Sequence, residues 1–265
     1  MTDRKKIAIQ LIDVKKSFGR QEVLRGVNLI VEEGTTTVIV GPSGMGKSVI
    51  LKHIMGLIMP DSGKVLVLGR DLTAMNRRQM KEVRKDFGVL FQNAALFDSM
   101  TIFDNVALPL RERTKLSEDE IRASVGEKLE MMDLHDVETK FPAQLSGGMR
   151  KRVGLARALM LNPRIVFFDE PTTGLDVHKS NEIYRLFYRT QEQLHYTAVI
   201  VSHDVPKIFK LSDCVALLHD GKLQGCTSPE DFQLSDNPAI RAFVETTMGP
   251  IYSSEKEEPG YREKI

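Results

Sequence analysis

The chain opens with short runs in which β-branched and aliphatic residues recur and glycine interrupts them. "KIAIQLIDVKKSF" and "VLRGVNLIVEEG" read as strands on this pattern. "TTTVIV" (Thr35 to Val40) is a short apolar strand that enters a glycine-rich loop. "SVILKHIMGL" leaves that loop as an apolar helix, closed near Gly56 and Pro60. "GKVLVLG" and "FGVLF" predict further strands. In the middle of the chain the period changes. "SEDEIRASVGEKLEMMDL" sets Ser117 and Glu120 at capping-box spacing, then repeats apolar residues at Ile121, Val125, Leu129 and Met132. Residues 93–162 are expected to be mostly helical. Strands return with "RIVFFDE", followed by a helix from about Asp176 to Leu194, then "YTAVIVSHD". "CVALLHDGKL" predicts a hairpin turning at Asp220-Gly221, and "TSPEDF" a helix with Pro229 in its first turn.

Strands alternating with helices predict an α/β fold, with a parallel sheet and crossover helices. The helical block breaks the alternation and reads as an insertion. The last residues, from about Met248, mix Gly, Pro, Ser and charge, and predict a poorly ordered tail. "RAFVETTMGPIY" (Arg241 to Tyr252) nonetheless keeps several apolar residues. A contact with a second copy, or with a small regulatory subunit, is the functional reading of that segment.

Composition narrows the function classes. In 265 residues, 42% are hydrophobic and 28% charged, enough for a sizeable core. A formal net charge of +1 provides no overall field to recruit nucleic acid or anionic lipid. The locally basic "RRQMKEVRK" (Arg77 to Lys85) is interrupted by Glu82 and reads as a solvated helix face. Cys214 and Cys226 have neither metal-type nor redox-type spacing, and reduced thiols in a cytoplasmic protein are expected. No run reaches the roughly 18 apolar residues of a membrane span. "MTDRKKIAIQ" lacks the apolar region of a secretory signal. A role at a membrane would therefore require docking onto something already there.

Two constellations carry chemistry. "GPSGMGKS" (Gly41 to Ser48) matches the phosphate-loop pattern G-x-x-x-x-G-K-[ST], between an apolar strand and a helix as that pattern requires. Glycines let the backbone wrap until successive N–H groups point at phosphate oxygens, and the helix N-terminus adds partial positive charge. Lys47 is placed to reach β- and γ-phosphates, and Ser48 to ligate Mg²⁺. "RIVFFDEP" ends a fully apolar strand in two acids at the carboxyl edge of the sheet, where α/β ligand crevices open. Asp169 is expected to hold Mg²⁺, and Glu170 to act as general base on water.

Between these two lies "LSGGM". A phosphate loop, a helical insertion holding LSGG and an acidic strand end, in that order, resemble the ATP-binding-cassette (ABC) ATPases over about residues 7–235. The resemblance implies a P-loop NTPase with a RecA-like core, an antiparallel β subdomain and an inserted α-helical subdomain at 93–162. The cassette would span 7–240 and a C-terminal tail 241–265. It implies ATP and Mg²⁺ as ligands, with Gly41, Pro42, Ser43, Gly44, Met45, Gly46, Lys47, Ser48 and Val49 around the phosphates. Phe18 resembles the aromatic that stacks on adenine, with a core aromatic as its alternative. Gln92 resembles the Q-loop glutamine that senses Mg²⁺ and the membrane partner. His203 resembles the switch histidine at the γ-phosphate. Ser146, Gly147 and Gly148 would cap the γ-phosphate of a second copy in a head-to-tail dimer, and Asp176 would cross that interface.

The chain is too short for two fused cassettes, and Lys47 and Gln144 lie too close in sequence for a coiled-coil arm. A transport ATPase is favoured over a nucleic-acid-associated one. "FQNAALFDSMTIFDNVALPLRE" with "LSGGMRKRVGLARAL" resembles the Mla-type family, ATPase subunits of bacterial phospholipid transporters linked to MCE-domain proteins. Met149, where most importer ATPases have Gln, agrees with that pattern. The partners implied are a second copy, an integral permease, an MCE-domain protein and a small regulatory subunit, at the cytoplasmic face of the inner membrane. A polar amino-acid importer is the alternative. The apolar stretch holding Leu96, Phe97, Met100, Ile102 and Phe103 has two readings: packing beneath the insertion, or a groove for a permease helix.

Overall fold

The computed structural model describes residues 6–203, 205 and 207–249. Two sheets form its frame. Strands β1 (Ile7–Phe18), β2 (Gln21–Glu32), β4 (Ser62–Val67) and β5 (Arg70–Asp71) make an antiparallel sheet in the order β2-β1-β4-β5. The second sheet contains β3 (Thr36–Val40), β6 (Phe87–Leu90), β7 (Ile165–Asp169), β8 (Thr197–Val201), β9 (Cys214–His219) and β10 (Lys222–Thr227). Its order is β10-β9-β3-β8-β7-β6, parallel except for the antiparallel edge strand β10.

The parallel strands are apolar through their middles because both faces of their sheet are covered; polar residues stand at their ends, Thr36, Thr37 and Thr197 at the starts and Asp169 and His219 at the finishes. In β7, Val166 and Phe168 join one core cluster while Ile165 and Phe167 join the other. The second cluster lies against the antiparallel sheet and α1 (Lys47–Ile54), through Ile50, Leu51 and Ile54. Phe167 is fully buried there, edge-on to Phe87 at 5.2 Å, a burial worth about 2 kcal/mol. A short helix, α2 (Arg77–Val83), follows the first sheet. It starts at an Asn76–Gln79 capping box and turns Met80 and Val83 inward.

The expected insertion is helical in three segments: α3 (Ile102–Arg113), α4 (Glu118–Met131) and α5 (Gly147–Ala158). The Ser117–Glu120 capping box starts α4, and Ile121, Val125, Leu129 and Met132 are buried as their period predicts. Beyond it, α6 (Val177–Leu194) starts at Asp176 and lays Ile183, Leu186 and Phe187 on the core. The hairpin turns at Asp220-Gly221 as expected. After it come α7 (Pro229–Gln233) and α8 (Pro238–Met248). Helix α8 crosses the expected tail boundary and buries Ile240 and Val244, which explains the apolar residues after Arg241. The rest of that tail lies outside the described residues.

The expectation of two free thiols is corrected: Cys214 and Cys226 form a disulfide across the β9–β10 hairpin, with Cα atoms 5.5 Å apart. A register shift between Gln224 and Thr227 breaks the simple pairing count. Adjacency across a bulged hairpin leaves no spacing signature in a sequence.

Candidate functional site

Strand order and register assemble the site. Ile39 of β3 pairs with Val201 of β8, which pairs with Asp169 of β7, so three strand ends lie in one row. Leu90 of β6 continues the edge opposite Phe168. The phosphate loop, Glu170, His203 and Gln92 each begin one or two residues beyond these ends. All four therefore emerge at the carboxyl edge of the same sheet, where parallel α/β sheets open their crevices. A cavity of about 470 Å³ lies there, lined by Phe18, Ser43, Gly44, Gly46, Lys47, Ser48 and Val49 with Gln92, Glu170 and His203.

The loop's geometry depends on Gly46. Its φ is +98°, in the left-handed region, and it precedes the first residue of α1. A Cβ there would stand 2.6 Å from the Val23 side chain, so only glycine fits this turn. Lys47 is 5% exposed, and its ammonium donates to the Gly41 and Pro42 carbonyls at 2.7 and 3.0 Å. It stands 3.7 Å from Glu170. Burial lowers the Lys47 pKa, and the Glu170 carboxylate opposes that shift. A desolvated cation beside the N-terminus of α1 is suited to phosphate.

The two acids take different partners. Asp169 is the last residue of β7 and accepts a 2.8 Å hydrogen bond from the Ser48 hydroxyl. Serine and carboxylate oxygens side by side form the hard-oxygen donor set that suits Mg²⁺ held between protein and phosphates. Glu170 has φ of +49°, a left-handed conformation costing a non-glycine residue about 1 kcal/mol. Its N–H stays paired with the Val201 carbonyl. Its Oε2 meets His203 Nδ1 at 2.5 Å and accepts from the Thr173 hydroxyl at 3.3 Å. The histidine and the second acid, 33 positions apart, form one unit.

The segment after Gln92 is not helical until Ile102. Buried Asn105 shapes it: its Nδ2 donates to the carbonyls of Phe97, Met100 and Thr101, and its Oδ1 accepts from the Phe97 N–H. Helix α5 packs against the same segment. Arg157 donates to the Ala94 carbonyl at 2.8 Å and lies over the Phe97 ring. At Gly154 an added Cβ would be 2.8 Å from Leu90 and 2.9 Å from Ala94. Gly154→Ala is accordingly expected to cost about 1–3 kcal/mol through overpacking, read as a lower denaturant midpoint in urea unfolding.

The apolar stretch divides between its two readings. Ile102 is buried, and Leu96 and Phe103 pack on the core. Phe97 is 50% exposed and lines a second cavity of about 390 Å³ with Phe87, Phe91, Leu108 and Leu161.

Among the residues singled out from sequence, Gly41 and Pro42 serve by holding Lys47 rather than by lining the cavity, and Met45 does not line it. Phe18 is 50% exposed at the end of β1, so it is no core aromatic. Ser146, Gly147, Gly148 and Asp176 do not line the cavity of their own chain. Ser146 caps α5 by accepting from the Met149 N–H at 3.3 Å. Asp176 caps α6 and pairs with Lys179 at 2.8 Å. The start of α5 lies by the loop before α6, with Leu175 3.4 Å from the place of a Gly147 Cβ. Gln21 and Val23 also line the cavity and were missed. They lie on β2, and only the pairing of β1 with β2 brings them beside Phe18.

A family model described as "ABC transporter" matches residues 24–173. The chain is 42% identical over 253 residues to "Probable ribonucleotide transport ATP-binding protein mkl" of Mycobacterium leprae, covering 95% of this chain and 73% of that protein. It is 40% identical over 246 residues to the "Intermembrane phospholipid transport system ATP-binding protein MlaF" of Haemophilus influenzae, covering 91% and 93%. The Escherichia coli MlaF is 38% identical over 244 residues, covering 92% and 91%. Among solved structures, the fold is similar to a dimeric post-hydrolysis state of the ATP-binding cassette MJ0796 bound to ADP and Pi. That match has TM-score 0.74 and 33% identity, covering 82% of this chain and 96% of that one. It is also similar to cbiO1 from Clostridium perfringens, part of the ABC transporter complex cbiONQ, with TM-score 0.80 and 27% identity, covering 91% and 96%.

Proposed function

The chain belongs to the ABC transporter family, as an ATP-binding and ATP-hydrolysing cassette, and we propose that it powers phospholipid transport between bacterial membranes through a membrane permease. The observation that carries this reading is the match to the MlaF proteins, nearly end to end in both chains. The Mycobacterium leprae protein named for ribonucleotide transport is slightly more identical, at 42%, but the match covers only 73% of its length. Ribonucleotide transport is thus the second reading. The polar amino-acid importer is not favoured, since the relatives above are named for phospholipid or ribonucleotide transport.

In this reading Phe18 stacks on adenine while the phosphate-loop amides and Lys47 grip the phosphates. Magnesium, when bound with the nucleotide, neutralises phosphate charge, and Ser48, Asp169 and Gln92 would hold it. Glu170 takes the proton of the attacking water on its carboxylate, and His203, bonded to that carboxylate, keeps it in place. Ser146 with the amides of Gly147 and Gly148 caps the γ-phosphate held by a second copy. Their absence from their own chain's cavity supports a site shared between two copies. Met149 offers no side-chain donor, so that cap rests on the three residues before it.

Among the described residues no helix is long and apolar enough to cross a membrane. In the proposed reading the chain attaches at the cytoplasmic face of the inner membrane through the permease, whose coupling helix takes the Phe97 groove. Phe97→Asp is expected to abolish co-purification of the permease while leaving the fold intact, because it replaces the half-exposed ring offered to the partner with a carboxylate. Recovery at wild-type yield would remove Phe97 from the interface. An MCE-domain protein and a small regulatory subunit complete the proposed assembly. Purification of the tagged chain in mild detergent tests the whole reading: a permease and an MCE-domain protein are expected, whereas a permease with a solute-binding protein would contradict it.

A further inference from the structure

Lys151 is 5% exposed on α5, five residues from Ser146, and its ammonium donates to the backbone carbonyl of Gln92. Buried cations are costly unless hydrogen-bonded, and packing alone would be met by an aliphatic side chain. The burial holds the Lys151 pKa down to about 8, and the Glu170 carboxylate opposes that shift, so the ammonium lies within electrostatic reach of the proposed general base. On the same side of α5, Gly154 allows close approach to Ala94 and Arg157 bonds the Ala94 carbonyl. The helix that begins at LSGG thus holds the segment after β6 at two carbonyls, with a glycine contact between them. The backbone at Ala94 and Ala95 is left-handed, with φ of +59° and +47°, a conformation that persists only when its surroundings fix it.

We infer that Lys151 is a positioning residue for ATP hydrolysis: it holds the Gln92 backbone so that the Gln92 side chain faces the phosphate cavity. The inference rests on the reading of Gln92 given above. Because α5 also carries Ser146 at its tip, Lys151 fixes the distance between the element offered to a second copy and the glutamine of its own site. It has no contact with nucleotide and acts through Gln92. The expected effect therefore falls on turnover rather than on nucleotide affinity.

The test compares Lys151→Met, which keeps the bulk and removes the donor, with Lys151→Gln, which keeps an N–H donor. Lys151→Met is expected to lower kcat about tenfold, the scale of one lost charge-assisted hydrogen bond. Affinity for a fluorescent ATP analogue should stay within about twofold, a change in turnover without one in binding. In nucleotide-free protein, hydrogen–deuterium exchange over residues 91–97 should quicken without a matching loss of thermal stability. Lys151→Gln should restore both kcat and protection. Unchanged turnover and exchange in Lys151→Met, or failure of Lys151→Gln to restore them, would overturn the inference. If Lys151→Met does not fold, Lys151→Ser, which admits water to the carbonyl, takes its place with the same two outcomes. Gln92→Ala separates the two levels: full turnover in that variant overturns the reading of Gln92 itself. Loss there with no loss in Lys151→Met overturns only the role of Lys151.

Discussion

Glu170→Gln is expected to bind ATP with near wild-type affinity and to hydrolyse it about a hundred- to ten-thousand-fold more slowly, the usual worth of a positioned general base. The substitution keeps size and hydrogen bonding but removes the basicity that accepts a proton from water. The carboxylate is held ready on three sides: His203 Nδ1 at 2.5 Å, the Thr173 hydroxyl at 3.3 Å and the Lys47 ammonium at 3.7 Å. An amide can keep the first two partners, so the cavity should stay formed. If two copies close on ATP, the variant should also accumulate as an ATP-dependent dimer on a sizing column, because the opening step is blocked. Turnover within a few-fold of wild type would remove Glu170 from the chemistry and leave Asp169 as the carboxylate to examine.

Lys47→Ala is expected to weaken ATP binding about a hundredfold, by loss of charge-assisted hydrogen bonds to phosphate of about 1.5–3 kcal/mol each. Lys47 is buried beside the loop it serves, tied to two of its carbonyls. Its removal therefore loosens the cradle as well as subtracting the charge. It also leaves Glu170 without its nearby cation, which adds repulsion toward the incoming phosphates. Equilibrium binding of ATP to the isolated protein reads the effect directly. Binding that survives unchanged would mean that the backbone amides and α1 alone hold the phosphates.

Local elements were legible because their signals are local. The Ser117–Glu120 box, the period through Ile121 and Met132, the Asp220-Gly221 turn and the apolar run ending at Asp169 each concern neighbours in sequence. The phosphate loop was legible for the same reason: strand, glycines, lysine and helix are contiguous. What the sequence withheld depends on strand order. No pattern in β2 announces that Gln21 and Val23 will line the cavity, since this follows from antiparallel pairing with β1. The bond between His203 and Glu170 depends on β7 and β8 being neighbours in register. Cys214 and Cys226 joined across a bulged hairpin, where spacing carries no signal. Asn105 and Lys151 are polar residues within helices, and no local pattern marks them as buried. Residues 93–162 are mostly helical as a block, but the segment 93–101 at its start is not. Its backbone instead wraps around Asn105, which competes for the same carbonyls.

In the proposed reading the phosphate loop and its acids hydrolyse ATP and the Phe97 groove receives the permease. Which cargo moves is the central question. The most direct measurement reconstitutes the chain with its permease in liposomes and follows, with ATP or without it, both a fluorescent phospholipid and a radiolabelled ribonucleotide. ATP-dependent movement of the phospholipid, lost in Glu170→Gln and Phe97→Asp, is the predicted result. ATP-dependent movement of the ribonucleotide with the phospholipid static would contradict it.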